Sequence, residues 1–316
     1  MNLRRDLEED RILTLIGPTG SGKTFLIIEE KDKYPIEVIS ADSRQIYKYM
    51  DIGTAKPTLR ERKIVPHHLI DVIKPDERFS AFEFYRNTLN IIREIRKSGK
   101  IPIIVGGTGL YIRSLQSGLF KMPEISENIR EDIRRKIEKK GVDFAYKELK
   151  RVDAETASTV HPNDRQRISR ALEVYLSTGI PISEWKKKEH TIPIPLDIYC
   201  LKVEKEKLLD RIKKRIEDMF INGWEQEVRG LLNRGYNEKD YGFTSLGYRE
   251  VLDFIRGRYK LEEVKEIIFK KTKAYIKRQN TFFRGLKGVK YINYSSVKRF
   301  ITALEEKIRN EENQKN

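Results

Sequence analysis

Residues 17–24 have the types and spacing to bind a phosphate group. They read GPTGSGKT, which matches the pattern G-x-x-x-x-G-K-[ST], directly after the apolar run 12–16 and before a segment of helical pattern. Glycines let the backbone wrap an anion, and the N–H groups and the helix N-terminus face its oxygens. Lys23 would neutralise the anion, and the Thr24 hydroxyl could ligate Mg²⁺. The predicted phosphate-binding residues are Gly17, Pro18, Thr19, Gly20, Ser21, Gly22, Lys23 and Thr24.

Asp42 is the first candidate for proton transfer. It follows the β-rich run 37–40, and so lies at the carboxyl end of a predicted parallel strand, where ligand crevices open in such sheets. The alternative role is an N-cap for the next turn, which is common for Asp. Because the phosphate loop follows another predicted strand of the sheet, we favour Asp42 as a base or a metal ligand.

A glycine-rich turn, Gly106-Gly107-Thr108-Gly109, follows the apolar run 101–105. Glycines there permit close approach of the backbone to a ligand, and the turn points to the same sheet edge as the phosphate loop. A turn of this kind is weak evidence alone. Together with the phosphate loop it predicts one ligand crevice.

Two basic segments could contact nucleic acid. Gln166, Arg167 and Arg170 can share a helix face, and these side chains suit base edges and phosphates, although a solvated face is an equally ordinary role. The segment 270–284 interleaves cations with Phe282 and Phe283, whose rings could pack inside the protein or stack on unpaired bases.

The overall charge agrees with a polyanionic partner. Among 316 residues, Lys and Arg number 64 against 48 for Asp and Glu, which gives a formal net charge of +16. A charge of this sign favours nucleic-acid binding, but it also serves solubility alone.

Several other classes of site are excluded. The four histidines (His67, His68, His161 and His190) form no zinc pattern, and we expect His67 and His68 to be structural residues before a strand. The single cysteine, Cys200, lies in an apolar run and is predicted to be a buried strand residue. The charged start of the chain and the lack of any apolar stretch near 18 residues predict a cytoplasmic protein without a membrane segment.

These residues must be positioned by an alternating series of strands and helices. Strands are predicted at 12–16, 37–40, 69–73, 101–105, 198–203 and 289–293. A helix is predicted from a capping box at Ser80 and Glu83 to Lys97, and Ser98-Gly99 ends it. Charged helical segments such as 127–140 dominate residues 118–195, and the polar tail 309–316 is expected to fray.

The predicted fold class is therefore α/β, a P-loop NTPase-like parallel sheet flanked by helices, with a helical insertion domain. The predicted core comprises residues 1–117 and 196–316, and the insertion comprises residues 118–195.

Taken together, six blocks resemble the tRNA dimethylallyltransferase family, also called tRNA isopentenyltransferases or IPP transferases. The blocks are GPTGSGKT, ADSRQIYKYMDIGTAKPT, PHHLIDV, IPIIVGGTGLYIRSL, HPNDRQRISRALEVYLSTG and GFTSLGYREV. They run in the family's order from Gly17 to Val251, and the basic segment 277–285 fits as well. The resemblance is poorest over residues 124–160, where mainly Arg130 can be placed.

The resemblance implies transfer of a dimethylallyl group from dimethylallyl diphosphate to N6 of adenosine 37, beside the tRNA anticodon. The phosphate loop, although its pattern is that of nucleotide- and ATP-binding proteins, would then hold a leaving diphosphate with Mg²⁺. The adenine would have to flip out of the stacked anticodon loop, and the insertion would grip that loop. We expect the protein to act as a monomer.

The resemblance also assigns residues. Asp42 would orient the N6 amine and accept its proton, with Thr108 near the base and Lys23 at the diphosphate. Arg229 resembles a family arginine near the diphosphate. The implied tRNA contacts are Asp42, Ser43, Arg44, Gln45, Thr108, Arg130, Gln166, Arg167, Ile168, Ser169 and Arg170.

Two other functions use the same motifs. In a P-loop nucleoside or nucleotide kinase the loop would bind ATP and Asp42 would activate a hydroxyl. In an RNA-binding NTPase the basic helices would dominate and the chemistry would be ATP hydrolysis alone.

Overall fold

The structure is a computed structural model, and it describes residues 11–30, 34–120, 122–188, 190–293, 300 and 302–306. The tail 309–316, predicted to fray, lies outside the described residues. No helix in the described ranges is both long enough and apolar enough to cross a membrane.

One parallel sheet organises the fold. Its strands stand in the order β3-β2-β4-β1-β5-β6, and every adjacent pair is parallel. Thr14 on β1 is paired with Ile104 of β4 on one side and with Ile198 of β5 on the other. The strands are β1 Ile12–Ile16, β2 Ile36–Ala41, β3 His67–His68, β4 Ile101–Gly106, β5 Leu196–Leu201 and β6 Lys290–Ile292.

The central strands are mostly apolar, as is typical of parallel strands that helices cover on both faces. All five residues of β1 and all six of β2 and of β4 are buried. Cys200 is buried on β5 as predicted, and burial raises the pKa of its thiol to about 11. The α/β class with a parallel sheet flanked by helices is confirmed.

The third strand was predicted in the wrong place. His67 and His68 form β3, paired with Val38 and Ile39, whereas residues 69–73 leave the sheet. Leu69 and Asp71 adopt φ values of 61° and 57°, which an extended strand cannot accommodate. The apolar residues of this segment are typical of a strand, but the chain turns there instead.

The helix after Ser80 begins and ends where local signals place it. The predicted helix after Ser80 is confirmed, because the Ser80 side chain accepts the Glu83 N–H and the Glu83 side chain accepts the Ser80 N–H. Ser98 is its C-cap, and Gly99 follows with φ of 72°. The helices before the insertion are α1 Lys23–Glu30, α2 Leu59–Ile64, α3 Ala81–Lys97 and α4 Gly109–Ser117.

The chain divides into two compact units. One, the core unit, comprises Met1–Ser117 and Ile194–Asn316, and the other, the inserted unit, comprises Gly118–Pro193. The later helices of the core unit are α10 Lys205–Ile221, α11 Trp224–Asn233, α12 Tyr248–Ile255 and α13 Leu261–Arg284, and between α11 and α12 lies a short 3₁₀ turn, Gly242–Thr244.

The inserted unit is helical and has its own apolar core. Ile133, Leu149 and Ile168 are at most 4% exposed and belong to one cluster. Asp164 caps the N-terminus of α8 through the Arg167 N–H. The helices of this unit are α5 Glu127–Lys140, α6 Val142–Val152, α7 Ala154–Thr159, α8 Arg165–Thr178 and α9 Ile182–Lys186.

Candidate active site

The phosphate loop joins β1 to α1, and glycines shape it. Gly20 and Gly22 adopt φ values of 76° and 88°, which disfavour any side chain. The Lys23 ammonium donates to the carbonyls of Gly17 and Pro18 at 2.9 and 3.0 Å. The loop is therefore wrapped around its own lysine, with Thr24 next in the first turn of α1.

Lys23 lies in an environment that disfavours its charge. The pKa of Lys23 is lowered to about 8, mainly by burial; the Asp42 carboxylate opposes the shift and the neighbouring Arg215 cation adds to it. A cation withdrawn from water in this way interacts strongly with an anion that reaches it.

Asp42 follows β2 and is held by the backbone of its own turn. One carboxylate oxygen, Oδ1, accepts the N–H groups of Arg44 and Gln45 at 2.8 and 3.4 Å. Asp42 therefore organises a turn, as the capping alternative proposed, and it also lines the cavity of the site. No hydrogen bond to Oδ2 is found in the described part of the chain, so Oδ2 is the oxygen that could receive a proton.

Thr108 connects the glycine turn to the Asp42 turn. Its hydroxyl accepts the Ser43 N–H at 2.9 Å and donates to the Ser43 hydroxyl at 3.2 Å. The Thr108 N–H in turn donates to the carbonyl of Ala41 at 3.1 Å. The glycine turn and the β2 end, predicted to meet at one sheet edge, are in direct contact.

Arg44 and Gln45 extend the turn toward other parts of the core unit. Arg44 donates to the Thr244 hydroxyl at 2.8 Å, which links the turn to the GFTSLGYREV block. The Gln45 amide donates to the carbonyl of Ala55 at 3.0 Å and so holds the loop after Asp42.

A cavity of about 460 Å³ brings these groups together. Its polar side includes Lys23, Thr24 and Asp42, and its apolar side includes Ile212, Ile216 and Ile268, which are buried. Further lining residues are Thr19, Gly20, Gly22, Arg44, Gln45, Gly107, Arg211, Arg215, Met219, Leu246, Tyr275 and Gln279. The cavity could therefore hold an anion beside its polar residues and an apolar group of modest size beside its isoleucines.

Arg215 is a cation that the sequence reasoning missed. It lies on α10, lines the cavity and donates to the Thr19 hydroxyl at 3.3 Å. Burial lowers the pKa of Arg215 from its usual range and Asp42 raises it, so Asp42 acts electrostatically on both Lys23 and Arg215. The only signal in the sequence was its spacing from Leu208, Ile212 and Ile216, which puts it beside the buried face of α10.

Arg229 is not brought to the cavity. Its side chain is 53% exposed on α11 and pairs with Glu225 one turn earlier at 2.8 Å, and it does not line the cavity. The structure therefore does not bring Arg229 to the phosphate loop, whereas Arg215 lines the cavity beside it.

The predicted tRNA-binding residues of the inserted unit differ in exposure. Gln166 and Arg167 are exposed on α8, whereas Arg170 is partly buried, within 3.4 Å of Glu173. Ser169 donates to Glu173 at 3.0 Å, and Arg130 donates to the carbonyl of Ile125 at 3.2 Å. The Ile168 side chain is 0% exposed in the core of the unit, so of this residue only the backbone could contact tRNA.

The aromatic residues of the basic segment 270–284 pack inside the core unit. Phe283 is 1% exposed, and Phe282 lies against Gly109 with the Arg113 guanidinium 4.1 Å from its ring centre. Phe283 thus packs inside the protein, and Phe282, which is partly buried, packs against the glycine turn. The segment forms the last turns of α13.

The oxygen donors of the cavity fit a magnesium ion. No group of three or more His, Cys, Asp or Glu side chains is arranged for a metal within the described ranges. Mg²⁺ needs no such cage, since it usually takes one or two protein oxygens and completes its shell with substrate phosphates and water. The Thr24 hydroxyl and the Asp42 carboxylate face one cavity and offer such oxygens.

The fold and the site define the chain as a P-loop-type α/β protein with an anion site next to a carboxylate and an apolar wall. The model of the IPP transferase family matches residues 45–286. A tRNA dimethylallyltransferase of Thermoanaerobacter sp. strain X514 is 42% identical over 302 residues, which cover 92% of this chain and 96% of the relative. The chain belongs to the IPP transferase family, whose members are prenyltransferases, and the resemblance drawn from the sequence is confirmed.

Solved structures agree. The full-length tRNA isopentenylpyrophosphate transferase of Bacillus halodurans is 31% identical, with a TM-score of 0.68 over 97% of this chain and 99% of that one. A eukaryotic dimethylallyltransferase acting on tRNA is 30% identical, with a TM-score of 0.74 over 90% of this chain and 74% of that one. These relatives support the prenyltransferase prediction and not the kinase alternative.

Proposed function

We propose that this chain transfers a dimethylallyl group from dimethylallyl diphosphate to N6 of adenosine 37 in tRNA, and releases diphosphate. The observation that carries the proposal is the single cavity in which Lys23 and Arg215, the Asp42 carboxylate and an apolar wall meet. A kinase site needs the phosphate loop and a base, but it does not need an apolar wall beside them. Family membership supports the same conclusion.

The diphosphate would lie against the phosphate loop. As the bond between the allylic carbon and the diphosphate oxygen breaks, negative charge grows on that oxygen. Lys23 and Arg215 would stabilise this charge in surroundings that have already lowered the pKa of both groups. The Thr24 hydroxyl would hold Mg²⁺, which when bound adds positive charge at the diphosphate.

The dimethylallyl group would lie along the apolar wall. Ile212 packs against the phosphate loop itself, since a Cβ on Gly20 would stand 2.6 Å from its Cδ1. Ile216 and Ile268 continue the wall. The five-carbon group would thus be removed from water, beside the loop that holds its diphosphate.

The acceptor adenine would enter beside Asp42 and Thr108. The N6 amine attacks the allylic carbon, a new C–N bond replaces the C–O bond, and the amine proton passes to the Asp42 carboxylate. Oδ1 is held by backbone N–H groups, which leaves Oδ2 for this transfer.

The inserted unit would supply tRNA contacts through its exposed Gln166 and Arg167. Extruding a base costs roughly a few kcal/mol of stacking, and contacts to the surrounding loop offset that cost. With a tRNA substrate, we expect the activity to be cytoplasmic.

The test is direct. Purified protein, Mg²⁺, dimethylallyl diphosphate and unmodified tRNA with adenosine 37 are incubated, and the digested RNA is analysed by mass spectrometry. We expect one C5H8 unit on that adenosine and none on a tRNA with guanosine at position 37. Phosphorylation of a small substrate with ATP, without any RNA product, would overturn the proposal in favour of the kinase.

A further inference from the structure

Gln279 connects two loops of the candidate active site. It lies on α13, is 6% exposed and lines the cavity. Its Oε1 accepts the Thr19 N–H at 3.0 Å, and its Nε2 donates to the carbonyl of Gly107 at 2.9 Å. One side-chain amide therefore joins the phosphate loop to the glycine turn.

The two backbone partners require both functions of the amide. A backbone N–H can only donate and a carbonyl can only accept, so the oxygen of Gln279 must face Thr19 and the nitrogen must face Gly107. The orientation of the amide is thus set by its neighbours.

The glycine turn is shaped to receive α13. A Cβ on Gly107 would stand 2.5 Å from the Gln279 Nε2, and a Cβ on Gly109 would stand 2.2 Å from a ring carbon of Phe282. Both glycines thus leave room for side chains of the same helix. The approach of Gln279 to the backbone depends on the missing side chain at Gly107.

Each end of this bridge leads to a group with a role in the proposed reaction. Thr19 also accepts a hydrogen bond from Arg215, so α10 and α13 both hold the phosphate loop. Gly107 directly precedes Thr108, whose hydroxyl contacts Ser43 beside Asp42. Displacing the Gly107 carbonyl would therefore move Thr108 relative to the Asp42 turn.

We propose that Gln279 is a positioning residue that fixes the phosphate loop relative to the Thr108 turn, and with it the allylic carbon relative to the acceptor amine. The assignment of those two substrates rests on the proposed function. The bridge itself rests only on the contacts of Gln279.

The first experiment compares Gln279→Met with Gln226→Met. Methionine keeps the length of the side chain and loses both hydrogen bonds, and Gln226 is an exposed glutamine of α11 outside the cavity. We expect Gln279→Met to lower kcat/KM for dimethylallyl diphosphate roughly 10- to 100-fold, as misplacement of reacting groups does, with the larger loss in kcat and a smaller loss in diphosphate binding. Gln226→Met should stay within about twofold of the wild type.

A double-mutant cycle separates positioning from general damage. Gly107→Ala would disturb the same contact from the side of the glycine turn, because the new Cβ would displace the Gln279 nitrogen. If both substitutions lower activity by breaking the contact between Gln279 and Gly107, the double variant Gln279→Met/Gly107→Ala should lose no more activity than the worse single variant. Losses that multiply would overturn the inference, as would values of kcat and KM for Gln279→Met within about twofold of the wild type.

Melting curves and pyrophosphate titration complete the test. A loss of activity that matches a loss of folded protein at the assay temperature would overturn a positioning role. If the wild type transfers no prenyl group, the proposed function fails, and Mg²⁺-pyrophosphate affinity then decides on Gln279 alone. Weaker pyrophosphate binding by Gln279→Met would support the bridge, and unchanged binding would overturn it.

Discussion

Single residues of the site derive their chemistry from opposite charges that share one cavity. Asp42 raises the pKa of Lys23 and of Arg215, while burial lowers the pKa of both cations by a larger amount. The free site therefore holds two cations that are poorly solvated. A diphosphate that binds there neutralises both cations, and this attraction is stronger in a cavity closed to solvent than in water.

Substitution of Asp42 should separate chemistry from binding. In Asp42→Asn the side chain keeps its size but cannot accept the amine proton, so we expect kcat to fall roughly 10²-fold or more while tRNA affinity changes little. Single-turnover kinetics and filter binding measure the two quantities. Asp76→Asn, an exposed site outside the cavity, is the matched control. A kcat equal to that of the control would remove Asp42 from the mechanism.

The pKa of Lys23 predicts a pH limit on diphosphate binding. Because that pKa is about 8, Lys23 is protonated below this pH and becomes neutral above it. We expect kcat/KM for dimethylallyl diphosphate, which reports on the free enzyme, to fall as the pH rises through about 8.

The neighbouring cation provides the control for this titration. Arg215 lowers the pKa of Lys23, so in Arg215→Met the fall should begin at a higher pH, although binding is weaker throughout. A profile of kcat/KM that stays flat from about pH 7 to about pH 9.5 in the wild type would contradict the assignment of Lys23.

At the scale of elements, the loop after Asp42 is fixed by α11. The Glu227 carboxylate accepts the N–H groups of Asp51, Ile52 and Gly53 at 2.6, 2.7 and 3.2 Å. The Tyr248 hydroxyl donates to the same carboxylate at 2.6 Å. Gly53 and the residues after it line the cavity, so one acidic side chain two positions before Arg229 supports that wall.

Loss of the Glu227 charge should loosen this wall. In Glu227→Gln an amide nitrogen replaces one accepting oxygen and faces backbone donors, so we expect a lower free energy of unfolding, by about 1–3 kcal/mol, and a several-fold loss of kcat/KM. Urea denaturation and steady-state kinetics measure these changes. Tyr248→Phe removes one of the four donors and should cost less, about 1 kcal/mol. Equal unfolding free energies for Glu227→Gln and the wild type would contradict this role.

Local patterns sufficed to predict most elements, because strand and helix signals are contained in a few neighbouring residues. Ile12–Ile16 and the capped helix after Ser80 were predicted from such patterns. The segment 69–73 failed because its apolar residues carry no sign of the positive φ values at Leu69 and Asp71. Propensity alone does not reveal a turn that tertiary contacts impose.

The site was predictable where motifs exist and not where distant helices complete it. The phosphate loop, Asp42 and Thr108 follow strands, so sheet topology brings them together. Arg215 and Gln279 reach the same cavity from helices far along the chain, and their sequence neighbourhoods do not distinguish them from other charged or polar helical residues. The place of Ile168 in a motif likewise gave no sign that its side chain is buried.

At the scale of the whole molecule, the net charge of +16 attracts a polyanion without specifying one. Among the exposed cations of the inserted unit for which the structure gives an ion pair, most have the acid one turn away, as Arg135 has Asp132 and Arg151 has Glu148. Exposed pairs of this kind contribute little to stability and are screened by salt. An arginine of such a pair can exchange its acid for an RNA phosphate at little cost.

Arg167 is the residue on which this argument can be tested. It is 68% exposed on α8, and its nearest acid, Asp164, lies 3.5 Å away while capping the helix. If Arg167 contacts a tRNA phosphate, Arg167→Ala should weaken tRNA binding several-fold and reduce the slope of log affinity against log salt by about 1, with kcat at saturating tRNA unchanged. Fluorescence titration at several salt concentrations measures both affinity and slope.

Arg151→Ala provides the control for this experiment, because Arg151 is 74% exposed in the same unit and also pairs with an acid. It removes the same charge from the molecule, so any effect of net charge alone appears equally in both variants. A change in the salt slope confined to Arg167→Ala therefore identifies a direct phosphate contact, since long-range attraction does not depend on which arginine is lost. Equal slopes for the two variants would mean that this face of α8 is only exposed to solvent, and that other residues of the chain bind the tRNA.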